Sequence, residues 1–180
     1  MIKDILLPLI SFPVTTQAQT IETAVALAEN LKAKVSAIAF EMDIQSPIGL
    51  YADPIGVRGI LAADSKKSST NARDLLSSFE TIAIGRNVEH DHNLLRAKPI
   101  DIPSRVAEEA RFRDLTIFPL KEMDAPGQAI AEQLIFDSGR PVLILPDDAK
   151  RQFPKSFDSI AVAWDFSRAA TRSLATRNTW

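Results

Sequence analysis

The 180-residue sequence contains no cysteine, which removes disulfides, thiolate nucleophiles, zinc ribbons and redox motifs together. It has no basic run longer than Lys66-Lys67 and a formal net charge of −2. No patch could therefore neutralise several phosphates of a nucleic acid or dock on an anionic membrane. No apolar stretch approaches the roughly 20 residues that span a bilayer. The opening Met1-Ile-Lys-Asp-Ile-Leu-Leu-Pro8 lacks the charged segment, apolar run and small-residue cleavage site of a secretion signal, and a soluble cytoplasmic protein is expected. Three phosphate-binding or nucleophile signatures are also missing: Gly-x-Gly-x-x-Gly after the first strand, Gly-x-x-x-x-Gly-Lys, and Gly-x-Ser-x-Gly. A phosphoacceptor receiver domain would need acidic residues after strand one and an Asp after strand three, where Ile10-Ser11 and Lys98-Pro99 stand.

With 46% hydrophobic and 24% charged positions, the chain is long enough for one well-buried domain and short for two. Lys3-Asp-Ile-Leu-Leu-Pro-Leu9-Ile-Ser-Phe-Pro13 followed by a helical stretch is echoed near the end by Asp158-Ser-Ile-Ala-Val-Ala-Trp164-Asp-Phe-Ser-Arg-Ala-Ala170. Each is an apolar strand running into a polar turn and a helix start, the first half of a βαβ unit. Between them the pattern alternates. Strands are expected over Ile5 to Leu9, Lys34 to Glu41, Val88 to Ala97, Leu115 to Phe118 and Val142 to Leu145. Helices are expected over Thr16 to Ala33, Gly59 to Ile84, Pro103 to Phe112, and from about Asp124 to Asp137, the last ended by Gly139 in a left-handed conformation. Asp43 to Gly56 collects Pro47, Gly49 and Pro54 and reads as a loop. Right-handed parallel crossovers with helices of this length give an α/β fold, a doubly wound five-stranded parallel sheet over residues 1–146. Residues 147–156 read as a linker, and 157–180 as the start of a second unit of the same kind.

Two strings carry a family likeness. Ala131-Glu-Gln-Leu134 and Gly139-Arg140 before Pro141-Val-Leu-Ile-Leu-Pro146, together with Ile160-Ala-Val-Ala-Trp-Asp165-Phe-Ser167-Arg-Ala-Ala, resemble the universal stress protein family in its tandem form. There, two such domains follow one another in one chain. The resemblance covers residues 1–146 as one complete domain and about 157–174 as the truncated beginning of the next, and it implies a Rossmann-like sheet of strand order 3-2-1-4-5. One branch of that family binds ATP through an Asp at the end of strand one and a glycine-rich loop after strand four. In this sequence the Asp position is Ile10, and the first loop glycine is replaced by Pro119, which has no N–H to give. The segment that follows, Leu120-Lys121-Glu122-Met123-Asp124-Ala125-Pro126, keeps Gly127 alone and sets two carboxylates where a triphosphate would lie. Asp165 and Ser167 match the strand-one Asp and the turn Ser, with Phe166 in place of glycine, which makes Asp165 a candidate cofactor-binding residue of a half-site only.

Other candidates carry less. His90 and His92 fall on one face of a strand, with Glu89 and Asp91 on the other, and no third metal ligand stands nearby. Gly56-Val-Arg-Gly59 reads as a helix entry, and Lys66-Lys67 as a solvated helix face. The expectation is a non-catalytic stress-response protein, not an enzyme, with no cofactor or metal and no nucleic-acid or membrane partner. It should form a homodimer through the exposed strand Val142 to Leu145. The alternative is an adenine-nucleotide or small-metabolite binder, or weak nucleotide hydrolase, using the strand-end crevice.

Overall fold

A computed structural model describes residues 2–44 and 57–148, together with Ser167 and Thr171. The proposed second unit, Asp165 included, and Gly56 lie outside the described residues. So do most of the proposed linker and nearly all of the 43–56 loop. Among the described residues the chain alternates strand and helix: β1 (Asp4–Leu9), α1 (Ala18–Leu31), β2 (Lys34–Met42), α2 (Val57–Gly85), β3 (His90–Ala97), a 3-10 turn (Pro99–Asp101), α3 (Ile102–Ala110), β4 (Leu115–Leu120), α4 (Ala125–Asp137) and β5 (Val142–Pro146). All strand pairs are parallel, in the order β3-β2-β1-β4-β5. The expected fold and strand order hold.

Strand alternation divides the core into two layers. Ile5, Leu7 and Leu9 point to one side with Val35, Ala37 and Ile117, where they pack on Ile21 and Val25 of α1 and Ala72, Leu76 and Phe79 of α2. On the other side Leu6, Ile38 and Phe118 pack on Val106 and Ala110 of α3 and Ile130 and Leu134 of α4. The central strands β1 and β4 are buried almost throughout, whereas β3 and β5, at the edges, are half-covered. No helix among the described residues is long and apolar enough to cross a membrane.

Local chemistry moves several boundaries. Thr16 is not in α1: its N–H donates to the Ile10 carbonyl at 2.9 Å and its hydroxyl accepts the Ile10 N–H at 2.9 Å. Both groups are spent closing the turn after β1, which also contains a cis Phe12–Pro13 peptide, and the helix begins two residues later. Gly139 has φ 65° directly after the α4 cap, the left-handed residue expected there. Strand β4 runs on through Pro119 and Leu120 because it continues to pair with β5.

Its pairing with β1 stops much sooner, after Ile5–Leu115 and Leu6–Thr116. Pro8 and Pro119 both lie beyond that last pair, and neither has an N–H to lend to a ladder. The two central strands therefore part toward their carboxyl ends. This is the topological switch of the sheet, the usual ligand crevice of such folds.

Candidate functional site

One half of the crevice, at the end of β1, is filled. Ile10 is 8% exposed and belongs to the apolar cluster of Leu6, Ile38, Phe40 and Ile102. Ser11, next in the chain, is buried and donates its hydroxyl to the Phe40 carbonyl at 2.7 Å. Ser68 of α2 places its own hydroxyl 3.0 Å from that of Ser11 and accepts the Met42 N–H at 3.1 Å. Asn71, one turn further along α2, donates to the Ser11 carbonyl at 2.9 Å. Small hydroxyl residues on α2 thus let the helix approach the ends of β1 and β2 closely while satisfying the backbone there. At the rim, Glu41 accepts hydrogen bonds from Ser69 (2.8 Å) and Arg73 (2.6 Å). The Ser69 hydroxyl, aided by Arg73 against the opposing effect of burial, holds the Glu41 carboxyl below its ordinary range.

The other half, between the ends of β4 and β5, is open. A cleft of about 620 Å³ is lined there by Gln17, Leu120, Lys121, Glu122, Met123, Gln128, Ile144, Pro146, Asp147 and Asp148. Two helix N-termini approach it, and each is met by a carboxylate of the chain itself. At α4, Asp124 is the N-cap residue and makes no side-chain cap hydrogen bond, but its carboxylate lies over the first turn, where a Cβ added to Gly127 would collide with its Oδ2. Gly127 therefore serves here to admit a carboxylate rather than a phosphate. The preceding Met123 carries φ 58°, which turns the chain sharply enough to place Asp124 at the helix cap. At α1, Asp147 reaches across from the end of β5. Its Oδ1 accepts the Gln17 N–H at 3.1 Å and the Thr20 hydroxyl at 2.5 Å, and its carbonyl accepts from the Gln17 side chain at 3.3 Å. The Asp147 N–H in turn donates to Leu120 at 2.9 Å. Negative charge at a helix N-terminus is favourable; Asp147 takes that seat at α1 through a hydrogen bond, and Asp124 stands beside it at α4 without one.

The remaining candidates are scattered. His90 packs edge-on against Phe79, with ring centroids 5.8 Å apart, and its Nδ1 lies 2.8 Å from the Val88 carbonyl. His92 is exposed. Asp91, on the other face of β3, pairs with Lys34 at 2.6 Å; burial raises its pKa, but the contact with the Lys34 ammonium outweighs that and holds its carboxyl below the usual range. No group of three or more metal-ligating side chains forms among the described residues. Lys66 and Lys67 are exposed on α2, and Gly59 sits within that helix with open space around it. Ser167 accepts the Thr171 N–H at 3.1 Å, one helical hydrogen bond. Of the residues singled out in the sequence, the structure thus sets Glu122 in the wall of the cleft, Asp124 and Gly127 in the first turn of α4 beside it, and Ile10 in the apolar cluster at the end of β1. Asp147 was missed, being counted with the linker; its sequence signal is an Asp-Asp pair directly after an apolar strand and Pro146.

No protein-family model and no curated protein matches the sequence. Solved structures do match the fold. A universal stress protein from Lactobacillus plantarum aligns at a TM-score of 0.55 and 15% identity over 79% of this chain and 97% of its own. A protein of the same family from Burkholderia pseudomallei gives 0.52 and 17%, over 78% and 95%. A universal stress protein family member from Arabidopsis thaliana, solved with AMP bound, gives 0.53 and 13%, over 82% and 94%. The chain has the universal stress protein fold.

Proposed function

We propose that the chain is a non-catalytic universal-stress-type protein of the cytoplasm that has lost adenine-nucleotide binding in this domain and acts through dimerisation and partner binding. The observation that carries this reading is Ile10: the residue standing where a nucleotide-binding relative would present an Asp is packed into the core. Pro119 withdraws a backbone donor, and Asp124 fills the cradle at α4. Each lost charged hydrogen bond is worth about 1.5 to 3 kcal/mol, so losing two or three costs about 3 to 9 kcal/mol, more than two decades of affinity. AMP bound as in the Arabidopsis protein is the competing expectation. Calorimetric titration with ATP, ADP and AMP, with and without magnesium, separates them: no saturable binding is expected, and a dissociation constant near 10 μM (about −7 kcal/mol) overturns the reading.

The dimer is proposed to form through β5. It is an edge strand whose Val142, Leu143 and Ile144 are only half-covered, and an apolar edge is a template for a second copy across a two-fold axis. Light scattering should give about twice the 19.8 kDa chain mass; a monomer throughout the micromolar range counts against it.

A further inference from the structure

We infer that the amino end of the β1–β4 seam, beside the last turn of α3, is a binding site for an internal water molecule that joins the Thr116 hydroxyl to the Asp4–Arg113 ion pair. Three buried polar atoms of this region, Thr116 Oγ1, Asp4 Oδ1 and Arg113 Nε, have no hydrogen-bond partner among the described residues. Thr116 is 0% exposed. Atoms so placed have given up their hydration, and buried polar atoms are seldom left without a partner in its stead.

The sheet sets the three on one side of the seam. Ile5 pairs with Leu115 and Leu6 with Thr116, and the Asp114 N–H donates to the Asp4 carbonyl at 2.9 Å. Asp4 and Leu6 share a face of β1, so Thr116 stands diagonally across from Asp4. Strand spacing and rise put such neighbours about 8 Å apart at their Cα atoms. That is far for two short side chains to bond directly and near enough for one water between them. Arg113 is held at the same place: its Nη1 lies 2.8 Å from Asp4 Oδ2, and its N–H donates to the Ala110 carbonyl at 3.1 Å. Ala110, the last residue of α3, is buried in the cluster of Leu6 and has no polar side chain to offer. Ser36, whose buried hydroxyl also has no partner, flanks Leu6 on the opposite side, in register with Asp91, and is a separate position.

Chemistry selects the ligand. Arg113 Nε can only donate, Asp4 Oδ1 can only accept, and the threonine hydroxyl does either. A ligand serving all three must therefore both donate and accept. Asp4 and Arg113 already neutralise each other, so an added ion would leave a charge uncompensated in a largely buried place. Water is neutral, has both functions, and when buried typically makes about three hydrogen bonds.

The test is a high-resolution crystal structure of the intact chain together with thermal unfolding of Thr116→Val, which removes the hydroxyl and keeps the branched shape. The crystal should show a water within hydrogen-bond distance of Thr116 Oγ1 and of Asp4 Oδ1 or Arg113 Nε; a dry contact overturns the inference. Thr116→Val should lower Tm by about 2 to 4 °C, the scale of one lost hydrogen bond in a chain of this size. An unchanged or raised Tm overturns it, because a hydroxyl buried dry and unpaired costs nothing to remove. In Arg113→Lys, which keeps the charge beside Asp4 but lacks Nε, Thr116→Val should cost less than in the parent; an equal cost means that hydroxyl and ion pair are not linked. If Thr116→Val does not fold, nuclear Overhauser transfer from a long-lived water to the Leu115 or Thr116 amide of the parent decides: transfer is expected, and its absence overturns the site. Replacing sodium chloride by choline chloride at equal ionic strength should leave Tm unchanged, and a shift would assign the place to a small cation and overturn the water.

Discussion

Both halves of the crevice stand at the carboxyl end of one sheet, a strand apart, yet one is core and the other is a cleft. At β1 an aliphatic residue and a buried serine, held by Ser68 and Asn71, put core packing where a ligand-binding side chain could stand. At β4 and β5 the chain puts carboxylates on both helix starts and leaves a cavity between them. The difference teaches that a ligand crevice is not a property of the fold alone. Parallel topology and two prolines with no N–H to lend between β1 and β4 go with an early end to the pairing of those strands, and a few side chains then decide which part of the strand end is apolar core and which is a cleft walled partly by carboxylates.

The most severe way to break the comparison is Ile10→Asp, which puts a carboxylate where the family resemblance expects one. Set in an apolar cluster, the new charge is expected to cost about 3 to 5 kcal/mol by urea denaturation without conferring ATP binding. A stable variant would mean the closed half is less closed than its packing says. Asp147→Ala tests the open half: losing the acceptor of the Gln17 N–H and Thr20 hydroxyl should cost about 2 to 3 kcal/mol, with faster amide exchange in the first turn of α1.

Acid sharpens the closed half. The Glu41 pKa is lowered in the folded chain by Ser69 first and then Arg73. Its contribution is therefore complete above the unfolded carboxyl value of about 4.3 and is lost as pH falls through the lower folded value. Glu41→Gln should remove that part of the acid dependence at a cost below about 1 kcal/mol at neutral pH, because Arg73 is well exposed. Gly127→Ala is the mildest change. The new methyl displaces the Asp124 carboxylate, the mobile end of a side chain, and presses on Leu120. The helix gains what alanine offers over glycine. Stability should stay within about 0.5 kcal/mol of the parent, while the carboxylate leaves the helix cradle; a loss of several kcal/mol would show that the α4 turn cannot yield.

Strands, helices and their order were legible because apolar runs and helical spacing are local signals, and the burial of Ile10 follows from its place at the end of an apolar strand. Thr16 was misplaced into α1 because its hydrogen bonds run back to Ile10, which periodicity does not register. Ser68 looked like an ordinary polar position on α2, yet it is buried, since the smallness that lets two hydroxyls meet has no pattern along the chain. Asp147 was read as the start of a polar linker. Its partners, Gln17 and Thr20, stand 130 and 127 residues away, so nothing near it in the sequence announces them. The prolines were visible, but only the pairing shows that Pro8 and Pro119 lie together beyond the last β1–β4 bond.

That same long reach orders events in time. As the polypeptide leaves the ribosome, α1 is among the first elements to emerge, but the carboxylate that caps it is made some 127 residues later. At roughly 5 to 20 residues per second of synthesis, α1 waits on the order of 6 to 25 seconds with its first turn unfastened. Until Asp147 arrives α1 is held only by what it packs against, so the first turn of an early helix is fastened by a late strand end, in the wall of the β4–β5 cleft.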